Sequence, residues 1–372
     1  EGNYYRISRY EDVVDVCMKP GIYSSNLVAF VLQGAGSGTQ IMEIPEGIPR
    51  PRDVLAIADA PDHTKQRKLL NPQFNGPGLK RYQALVDTQA DTLLESLAEE
   101  GTEWMENFAV PLPIRVISIM LGLPEEDYDR LKTWSDAGVA IIDGTATGDN
   151  LMVLATSILE FQGYLDQVLT AAVQAPGDNL LGKLALMMAK NDLDQDEAVS
   201  ILLQVVVAGS ESTSSLIGAM ALRLADDPEL QRLLREDSTK RQGFIDEVLR
   251  LDAPFRGHFR ILNEPSTVGG IQMIAGTRLM LHWGMANRDT QTFETPEILD
   301  TSRTNARKHL GFGHGIHRCI GAGLARMESL ASLRILLDEL PPFRLKHGHV
   351  PTQKPSIFTN RLEDLHLVFQ AT

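Results

Sequence analysis

The sequence predicts a mainly α-helical fold with a minor β portion. From residue 62 onward, most segments repeat apolar residues at i, i+3 and i+4, which is the spacing of one helix face. The stretch from Asp194 to Ala225 is the longest of these segments. Strand-like patterns, rich in β-branched and aromatic residues, are confined to the N-terminal region and to residues 260–282.

The N-terminal region combines short elements with a loop. Residues 4–30 alternate aromatic, polar and aliphatic positions up to Pro20 and Gly21, which indicates short strands and a small helix. Residues 33–52 are rich in glycine and proline, and we interpret them as a long loop. Loops of this length inside a compact domain are often lids or binding loops.

The middle of the chain is helical. Asp194 is a predicted N-cap with Glu197 three residues later, and the Asp226-Asp227-Pro228 run predicts the helix end. At ~1.5 Å per residue this helix is close to 50 Å long, enough to cross a domain. The helices predicted before it cover residues 79–100, 110–121, 125–143, 150–174 and 179–190.

The last third contains the predicted strands and one more helix. Residues 260–282 carry β-branched residues around a Gly269-Gly270 turn. A loop-rich stretch follows, and a helix is predicted from Ile320 to Leu340, closed by Pro341.

Composition excludes several classes of protein. The chain has 372 residues, 43% hydrophobic and 23% charged, which is typical of a globular protein and not of a disordered one. A net charge of -14 argues against nucleic-acid binding. No uninterrupted apolar run approaches the roughly 20 residues of a membrane span, and no signal peptide is apparent. The only two cysteines, Cys17 and Cys319, exclude a disulfide framework and suit a reducing cytoplasm.

The most informative stretch surrounds Cys319. Residues 312–328 read FGHGIHRCIGAGLARME. Gly313, Gly315 and Gly321 allow tight turns around the sulfur, and a predicted helix N-terminus just after it stabilises a thiolate. A lone buried cysteine is the commoner case, but a thiolate in a glycine loop suits an iron ligand. A zinc site would need three more ligands.

This stretch resembles the heme-binding loop of bacterial cytochromes P-450, F-G-x-G-x-H-x-C-x-G-x-x-L-A-R-x-E, at every specified position. The resemblance runs from about residue 5 to the C-terminus. It implies the cytochrome P-450 fold, with a long central helix over heme b and the thiolate loop on the opposite face. We expect one heme domain over residues 1–372, with strand-rich parts at about 1–60 and 255–300 and helical parts at about 61–250 and 320–341.

The resemblance also assigns roles around the heme. Cys319 becomes the metal ligand. Glu247 and Arg250 match the family's E-x-x-R motif, and Arg303 falls in its P-x-x-F-D-x-x-R position with Leu299 replacing Phe; these three form a buried structural cluster behind the loop. His63, Arg67, Arg260 and His317 match positions that hold the heme propionates, although His63 and Arg67 alone would fit a solvated helix face. The further cofactor-binding residues are Ala208, Gly209, Phe312, Gly313, His317, Cys319 and Gly321.

A polar run interrupts the long apolar helix. Residues 208–213 read AGSEST and resemble the family's oxygen-activation motif A-G-x-[DE]-T-[TS]. The resemblance makes Glu211 the proton-delivering acid and Ser212, in place of the usual threonine, the catalytic hydroxyl, with Thr213 as its substitute. The alternative is that the two hydroxyls only bond back to the i−4 carbonyls and bend the helix.

The substrate pocket follows from the same correspondence. We expect it to be lined by residues 33–58 and 139–160 and to accept a smallish organic substrate, aromatic or terpenoid. Gln204 and His258 are candidate polar anchors, and an ordinary helix position is an equal alternative for Gln204. The named pocket residues are Gln204, Val207, Ala208, Phe255, His258, Ile357 and Phe358.

Electrons must come from a separate protein, since little chain follows the heme loop. Between Thr301 and Met327 there are five basic residues and no acidic residue. Arg307, Lys308 and Arg318 are the docking candidates, and an acidic ferredoxin or flavodoxin is the expected partner.

The sequence therefore predicts a cytoplasmic monooxygenase that uses dioxygen on an apolar organic substrate, by hydroxylation or O-dealkylation. A peroxygenase of the same fold, driven by hydrogen peroxide, is the first alternative, and a non-enzymatic heme sensor is the second. A cysteine hydrolase using Cys319 with His317 or His314 is disfavoured because no oxyanion hole and no orienting Asn or Asp is apparent.

Overall fold

The computed structural model describes residues 4–26, 29–33, 39–43, 52–98, 100–143, 150–356 and 358–370. Within them the α-helices are α1 (Tyr10–Cys17), α2 (Asp62–Phe74), α3 (Gly76–Lys80), α4 (Gln83–Leu94), α5 (Pro111–Leu121), α6 (Tyr128–Ile142), α7 (Leu151–Gln174), α8 (Leu180–Ala189), α9 (Gln195–Asp226), α10 (Pro228–Glu236), α11 (Arg241–Leu251), α12 (Trp283–Ala286) and α13 (Ala322–Arg334).

The strands found in the described residues are short and lie in four small sheets. They are β1 (Tyr5–Ile7), β2 (Tyr23–Ser24), β3 (Ala29–Gln33), β4 (Thr39–Glu43), β5 (Gly101–Glu103), β6 (His258–Leu262), β7 (Ser266–Val268), β8 (Ile271–Met273), β9 (Arg278–Leu281), β10 (Phe343–Leu345) and β11 (His366–Phe369). Their spatial orders are β1-β9-β6-β2, β10-β11-β5, β3-β4 and β7-β8.

The helix α9 is the central element. The Asp194 side chain caps it by accepting from the backbone N–H of Glu197 (2.8 Å). Asp227 ends it and caps α10 by accepting from Leu230 N–H (3.0 Å). Side chains on several faces of α9 are buried, because α5, α6, α7, α11 and α13 all pack around it.

The same burial bears on membrane insertion. By length and composition α9 is apolar enough to cross a bilayer, but 78% of its apolar window is buried inside the protein. That burial is expected of a core helix and not of a helix that faces lipid.

The largest sheet joins distant parts of the chain. β1 pairs parallel with β9, with Tyr5 opposite Leu279, while β6 lies antiparallel to β9 and to β2. This pairing fixes the N-terminal region against β6, the strand that carries two predicted site residues, His258 and Arg260.

Most predicted elements are present, with two corrections. The prediction of a loop over residues 33–52 is wrong at 39–43, which form β4 and pair with β3; residues 34–38 and 44–51 lie outside the described residues. The helix predicted from Ile320 to Leu340 starts at Ala322 and ends in a π-helical turn, Ile335–Glu339. Neither difference was avoidable from local pattern, because short strands and wide helical turns depend on what they pair with or pack against.

Candidate functional site

The loop around Cys319 is built by two glycines with left-handed backbone. Gly313 has φ +68° and Gly315 has φ +71°, values that other residues adopt only with strain. A Cβ at Gly315 would lie 2.4 Å from the carbonyl oxygen of Cys17 at the end of α1. The backbone N–H of Cys319 donates to the carbonyl of Phe312 (2.8 Å) and closes the loop.

Cys319 faces an internal cavity. Its side chain is accessible from this cavity, which it lines together with residues of α2, α9 and β6, but it is surrounded by protein. Burial raises the pKa of the Cys319 thiol. The N–H of Gly321 and the charge of Arg67 lower that pKa, but each by less than burial raises it. The nearby amides alone therefore do not stabilise the expected thiolate enough. A metal cation bound to the sulfur would supply the missing stabilisation.

A buried ion cluster braces this loop from behind. Glu247 and Arg250 are fully buried on α11 and form a bidentate pair, with N–O distances of 2.6 and 2.8 Å. Arg303 donates to the same Glu247 carboxylate at 3.1 Å. The structure thus brings the three predicted members of the cluster together.

A residue that sequence reasoning missed connects the cluster to the loop. Arg250 donates to the main-chain carbonyl of Asn287 (3.2 Å), and the Asn287 side chain accepts from the N–H of Leu310 (2.7 Å). Asn287 is fully buried. An isolated asparagine carries no motif, so only the fold reveals this role.

The predicted propionate-binding residues His63, Arg67, Arg260 and His317 all line the cavity that Cys319 lines. The rings of His63 and His317 lie 4.1 Å apart. Burial, together with neighbouring positive charge, lowers the pKa of His317 to about 3 and lowers that of His63. Burial also lowers the pKa of both arginines.

These groups fit the heme that the family resemblance implies. Nδ1 of His63 and both ring nitrogens of His317 are buried without a hydrogen-bond partner among the described residues. Buried polar atoms of this kind cost free energy unless a ligand satisfies them. Two arginines and two histidines around one cavity suit a ligand with two carboxylates, such as the heme propionates.

The polar run on α9 is divided between the cavity and the interior. Ala208, Gly209, Ser212 and Thr213 line the cavity. The hydroxyl of Ser212 donates to the carbonyl of Ala208 (2.8 Å), which is the back-bonded arrangement anticipated as the alternative to a catalytic role. The back-bond is compatible with a catalytic role, because Ser212 also lies on the cavity wall.

Glu211 lies on a different side of α9. Its carboxylate is buried, forms an ion pair with Arg361, and is not among the described residues that line the cavity. Burial raises the pKa of Glu211, and the charge of Arg361 opposes that rise. Sequence reasoning missed Arg361 because it is 150 residues from Glu211 in the chain. A guanidinium nitrogen of Arg361 also lies 3.7 Å from a carboxylate oxygen of Asp136.

The predicted pocket residues separate into two groups. Gln204, Phe255 and His258 line the cavity. The Gln204 side chain accepts from the N–H of Ala56 (2.9 Å), and Nδ1 of His258 accepts from the indole of Trp283 (3.1 Å). Gln204 therefore holds the chain segment before α2 in place. Because Nδ1 of His258 accepts a hydrogen bond, the proton of its neutral ring lies on Nε2.

The other predicted pocket residues do not line this cavity in the described part of the chain. Val207 packs beside Gly138 of α6, and Phe358 packs edge-on against Phe259. Ile357 and residues 144–149 lie outside the described residues.

A buried acid on α13 also lines the cavity. Glu328 is 2% exposed, and its Oε2 has no hydrogen-bond partner among the described residues. Burial raises the pKa of Glu328 well above its usual range. Its place in the motif was visible in the sequence, but the rise of its pKa follows only from the packing.

The basic surface predicted for docking is exposed. Arg307, Lys308 and Arg318 all lie at the surface. Arg307 is 80% exposed and only 3.6 Å from Asp246, whereas Arg326 is partly buried and pairs closely with that aspartate (2.6 Å). This agrees with treating Arg326 as structural and the other three as available.

Comparison with known proteins gives a consistent result. The model of the family described as Cytochrome P450 matches residues 170–360. Cytochrome P450 144 of Mycobacterium tuberculosis is 33% identical over 369 residues, which cover 99% of this chain and 84% of that protein. Vitamin D(3) 25-hydroxylase of Pseudonocardia autotrophica is 32% identical over 302 residues, covering 80% of this chain and 73% of that protein.

Solved structures share the fold. P450BioI in complex with hexadec-9Z-enoic acid ligated acyl carrier protein has a TM-score of 0.89 at 25% identity, covering 100% of this chain and 94% of that chain. CYP109E1 of Bacillus megaterium in complex with testosterone has a TM-score of 0.87 at 26% identity, covering 99% of this chain and 93% of that chain.

Proposed function

This chain belongs to the cytochrome P450 family and is a heme monooxygenase, and we propose that it inserts one atom of dioxygen into a small to medium apolar organic substrate in the cytoplasm. The observation that carries the proposal is a shared cavity. Cys319, the four proposed propionate-binding residues, and Ser212 and Thr213 of α9 all line it. The proposed cofactor is heme b, which supplies the oxidation chemistry that no side chain can provide.

The protein's own residues then have separable tasks. Cys319 would hold the heme iron through its thiolate, which would supply electron density to the oxidation chemistry of the heme. His63, Arg67, Arg260 and His317 would hold the propionates by charge and hydrogen bonds. Ser212, or Thr213 beside it, would pass a proton to the cavity from a hydroxyl on the wall.

A spectrum of the purified protein tests the site. Reduced protein with carbon monoxide should show the strongly red-shifted carbonyl band of a thiolate-ligated heme. Cys319→Ala should lose the band and Cys17→Ala, the matched control, should keep it. A band that survives in Cys319→Ala would overturn the assignment of the ligand.

The proton relay has its own test. Ser212→Ala and Thr213→Val should be compared for product formed per electron consumed, because a relay that loses its hydroxyl releases peroxide instead. We expect the larger loss in Ser212→Ala. Equal coupling in the parent and both variants would exclude a relay role for either hydroxyl.

A peroxygenase remains the second candidate function, favoured by one observation. Glu211 is tied to Arg361 and is not among the described cavity-lining residues, so proton delivery from it needs that pair to open. Turnover with hydrogen peroxide alone, at a rate matching turnover with donor and dioxygen, would select this alternative.

The substrate proposal is supported by the cavity wall and by relatives. The wall is largely apolar, with Leu55, Ile117, Val205, Phe255 and Trp283 among its side chains. One relative is named for 25-hydroxylation of vitamin D3, and CYP109E1 was crystallised with testosterone. A panel of ring compounds should shift the heme spin state, and a response to long fatty acids alone would contradict the proposal.

The proposed electron donor is an acidic ferredoxin or flavodoxin. It would dock on the basic surface formed by Arg307, Lys308 and Arg318 next to the Cys319 loop. In a chain with a net charge of -14, such a local basic surface orients an acidic partner more than it strengthens overall binding.

A further inference from the structure

The segment between β10 and β11 forms an arm that no motif accounts for. Its two sides pair: the N–H of Glu363 donates to the carbonyl of Thr352 (2.8 Å), and the N–H of Lys354 donates to that of Arg361 (2.9 Å). The far end of the arm contacts the end of α6 and the middle of α9, since Ser356 donates to Asp143 (2.6 Å) and Arg361 pairs with Glu211.

Three potential metal ligands meet at the base of this arm. His349 follows β10, while Asp364 and His366 lie at the start of β11. One donor atom from each lies within 4.8 Å of the other two. Nε2 of His349 is 3.5 Å from Oδ2 of Asp364, and the two imidazole rings lie 4.8 Å apart at 90°.

The aspartate is already oriented for this role. Its Oδ1 accepts from both the N–H (3.1 Å) and the hydroxyl (2.7 Å) of Thr352. These bonds aim Oδ2 at His349. Hydrogen bonds to the second carboxylate oxygen are the usual support of a metal-binding aspartate.

The histidine supplies an independent sign of a missing ligand. The His349 side chain is only 12% exposed, and its Nε2 is buried without a hydrogen-bond partner among the described residues. A nitrogen left in this state costs free energy that a bound cation would remove.

We propose that His349, Asp364 and His366 bind a zinc-type divalent transition metal ion, with water completing a tetrahedral shell. With bonds of about 2.0–2.1 Å, tetrahedral ligands lie about 3.3 Å apart. The His349–Asp364 pair is close to that spacing, and the widest pair must close by about 1.5 Å, which side-chain rotation provides. Two imidazoles select zinc over magnesium or calcium, which prefer oxygen ligands.

Such an ion would fasten the base of the arm that carries Arg361. Because the same arm contacts Asp143 and Glu211 at its far end, metal binding would restrict a segment next to the active site. This site is separate from the Cys319 cavity in residues and in chemistry.

Calorimetric titration with zinc chloride tests the proposal. Tag-free holoenzyme is treated with chelator, dialysed and titrated, with His349→Ala, His366→Ala and the control His347→Ala in parallel. His347 is exposed, belongs to the same turn and is outside the cluster. The carbonyl band of each variant verifies that it is folded.

The expected result is one zinc ion per chain, weakened by at least about tenfold in each cluster variant and unchanged in His347→Ala. The melting temperature of the parent should rise in excess zinc, and that of the cluster variants should not. Binding of equal strength in the parent and both cluster variants, or no saturable binding, would overturn the proposal.

Discussion

At the scale of single residues, Gly315 is the position of the Cys319 loop that tolerates least change. It combines a left-handed backbone with a main-chain carbonyl that would lie 2.4 Å from a Cβ. A flexible neighbour could move aside, but the carbonyl of Cys17 belongs to the end of α1. The loop and the N-terminal helix therefore constrain each other through one glycine.

We predict that Gly315→Ala lowers the free energy of unfolding by more than about 3 kcal/mol and weakens heme retention. The matched control is Gly276→Ala, at φ +81° with nothing within 4 Å of its Cβ, which should cost only about 1–2 kcal/mol. Thermal unfolding measures both. Equal losses would show that the contact with Cys17 is unimportant.

Glu328 is a single residue that should make the stability of the protein depend on pH. Its pKa is raised by burial, so the folded state holds a proton that the unfolded chain releases as the pH rises. The stability associated with that proton is fully present below the unfolded pKa and is lost as the pH rises toward the folded pKa. The parent should therefore lose stability with rising pH through this residue.

Glu328→Gln, which keeps the shape without the ionisable proton, should remove this loss. We predict that the melting temperature of the variant exceeds that of the parent by an amount that grows from pH 5 to pH 8. Parallel curves for the two proteins would mean that Glu328 is not neutral in the folded state.

At the scale of elements, α9 is held by the C-terminal arm as well as by its helical neighbours. Glu211 on α9 and Arg361 on the arm are 5% and 7% exposed, and Asp136 of α6 lies beside them. Three elements distant in sequence thus meet at a buried Glu211–Arg361 pair, with the Asp136 side chain, 39% exposed, at its edge. Removing either member of the buried pair leaves an uncompensated charge in the interior.

We predict that Arg361→Met costs about 3–5 kcal/mol of stability, more at pH 8 than at pH 5, because protonation of Glu211 relieves the unpaired charge. The double variant with Glu211→Gln should recover most of the loss. A double-mutant cycle from denaturant unfolding gives the coupling energy, and simple additivity of the two losses would contradict the pair's importance.

At the scale of the whole molecule, charge is distributed unevenly. The chain carries a net charge of -14, yet the surface next to the Cys319 loop exposes Arg307, Lys308 and Arg318. The proposed acidic donor would be repelled by the net negative charge of the chain and attracted to this local basic surface. We therefore expect these charges mainly to orient the encounter complex.

We predict that Arg318→Glu slows reduction by an acidic ferredoxin roughly tenfold at low ionic strength, with a smaller effect at high salt. The control, Lys190→Glu, changes the net charge equally at an exposed position after α8. Stopped-flow reduction rates across ionic strength measure both. Identical behaviour of the two variants would refute docking at Arg318.

The sequence alone determined the family and most of the helices, because the motif around Cys319 and the helical period depend on local spacing. Through the family resemblance it also gave the proposed ligand Cys319 and the three members of the structural cluster. The loop pattern around Cys319 needs particular residues at adjacent positions, and the helices need a 3.6-residue period. Both requirements can be recognised within one continuous stretch of sequence. Predictions from local spacing failed where an element depends on what it packs against, as for β4 and for the π-helical turn that follows α13.

Only the tertiary structure decided which side chains meet across long separations. It paired Glu211 with Arg361, linked Arg250 to the Cys319 loop through Asn287, and brought His349 to Asp364 and His366. It also set protonation states, since the desolvation that shifts a pKa comes from residues elsewhere in the chain. Burial and charge are properties of the packed molecule, and no stretch of sequence contains them.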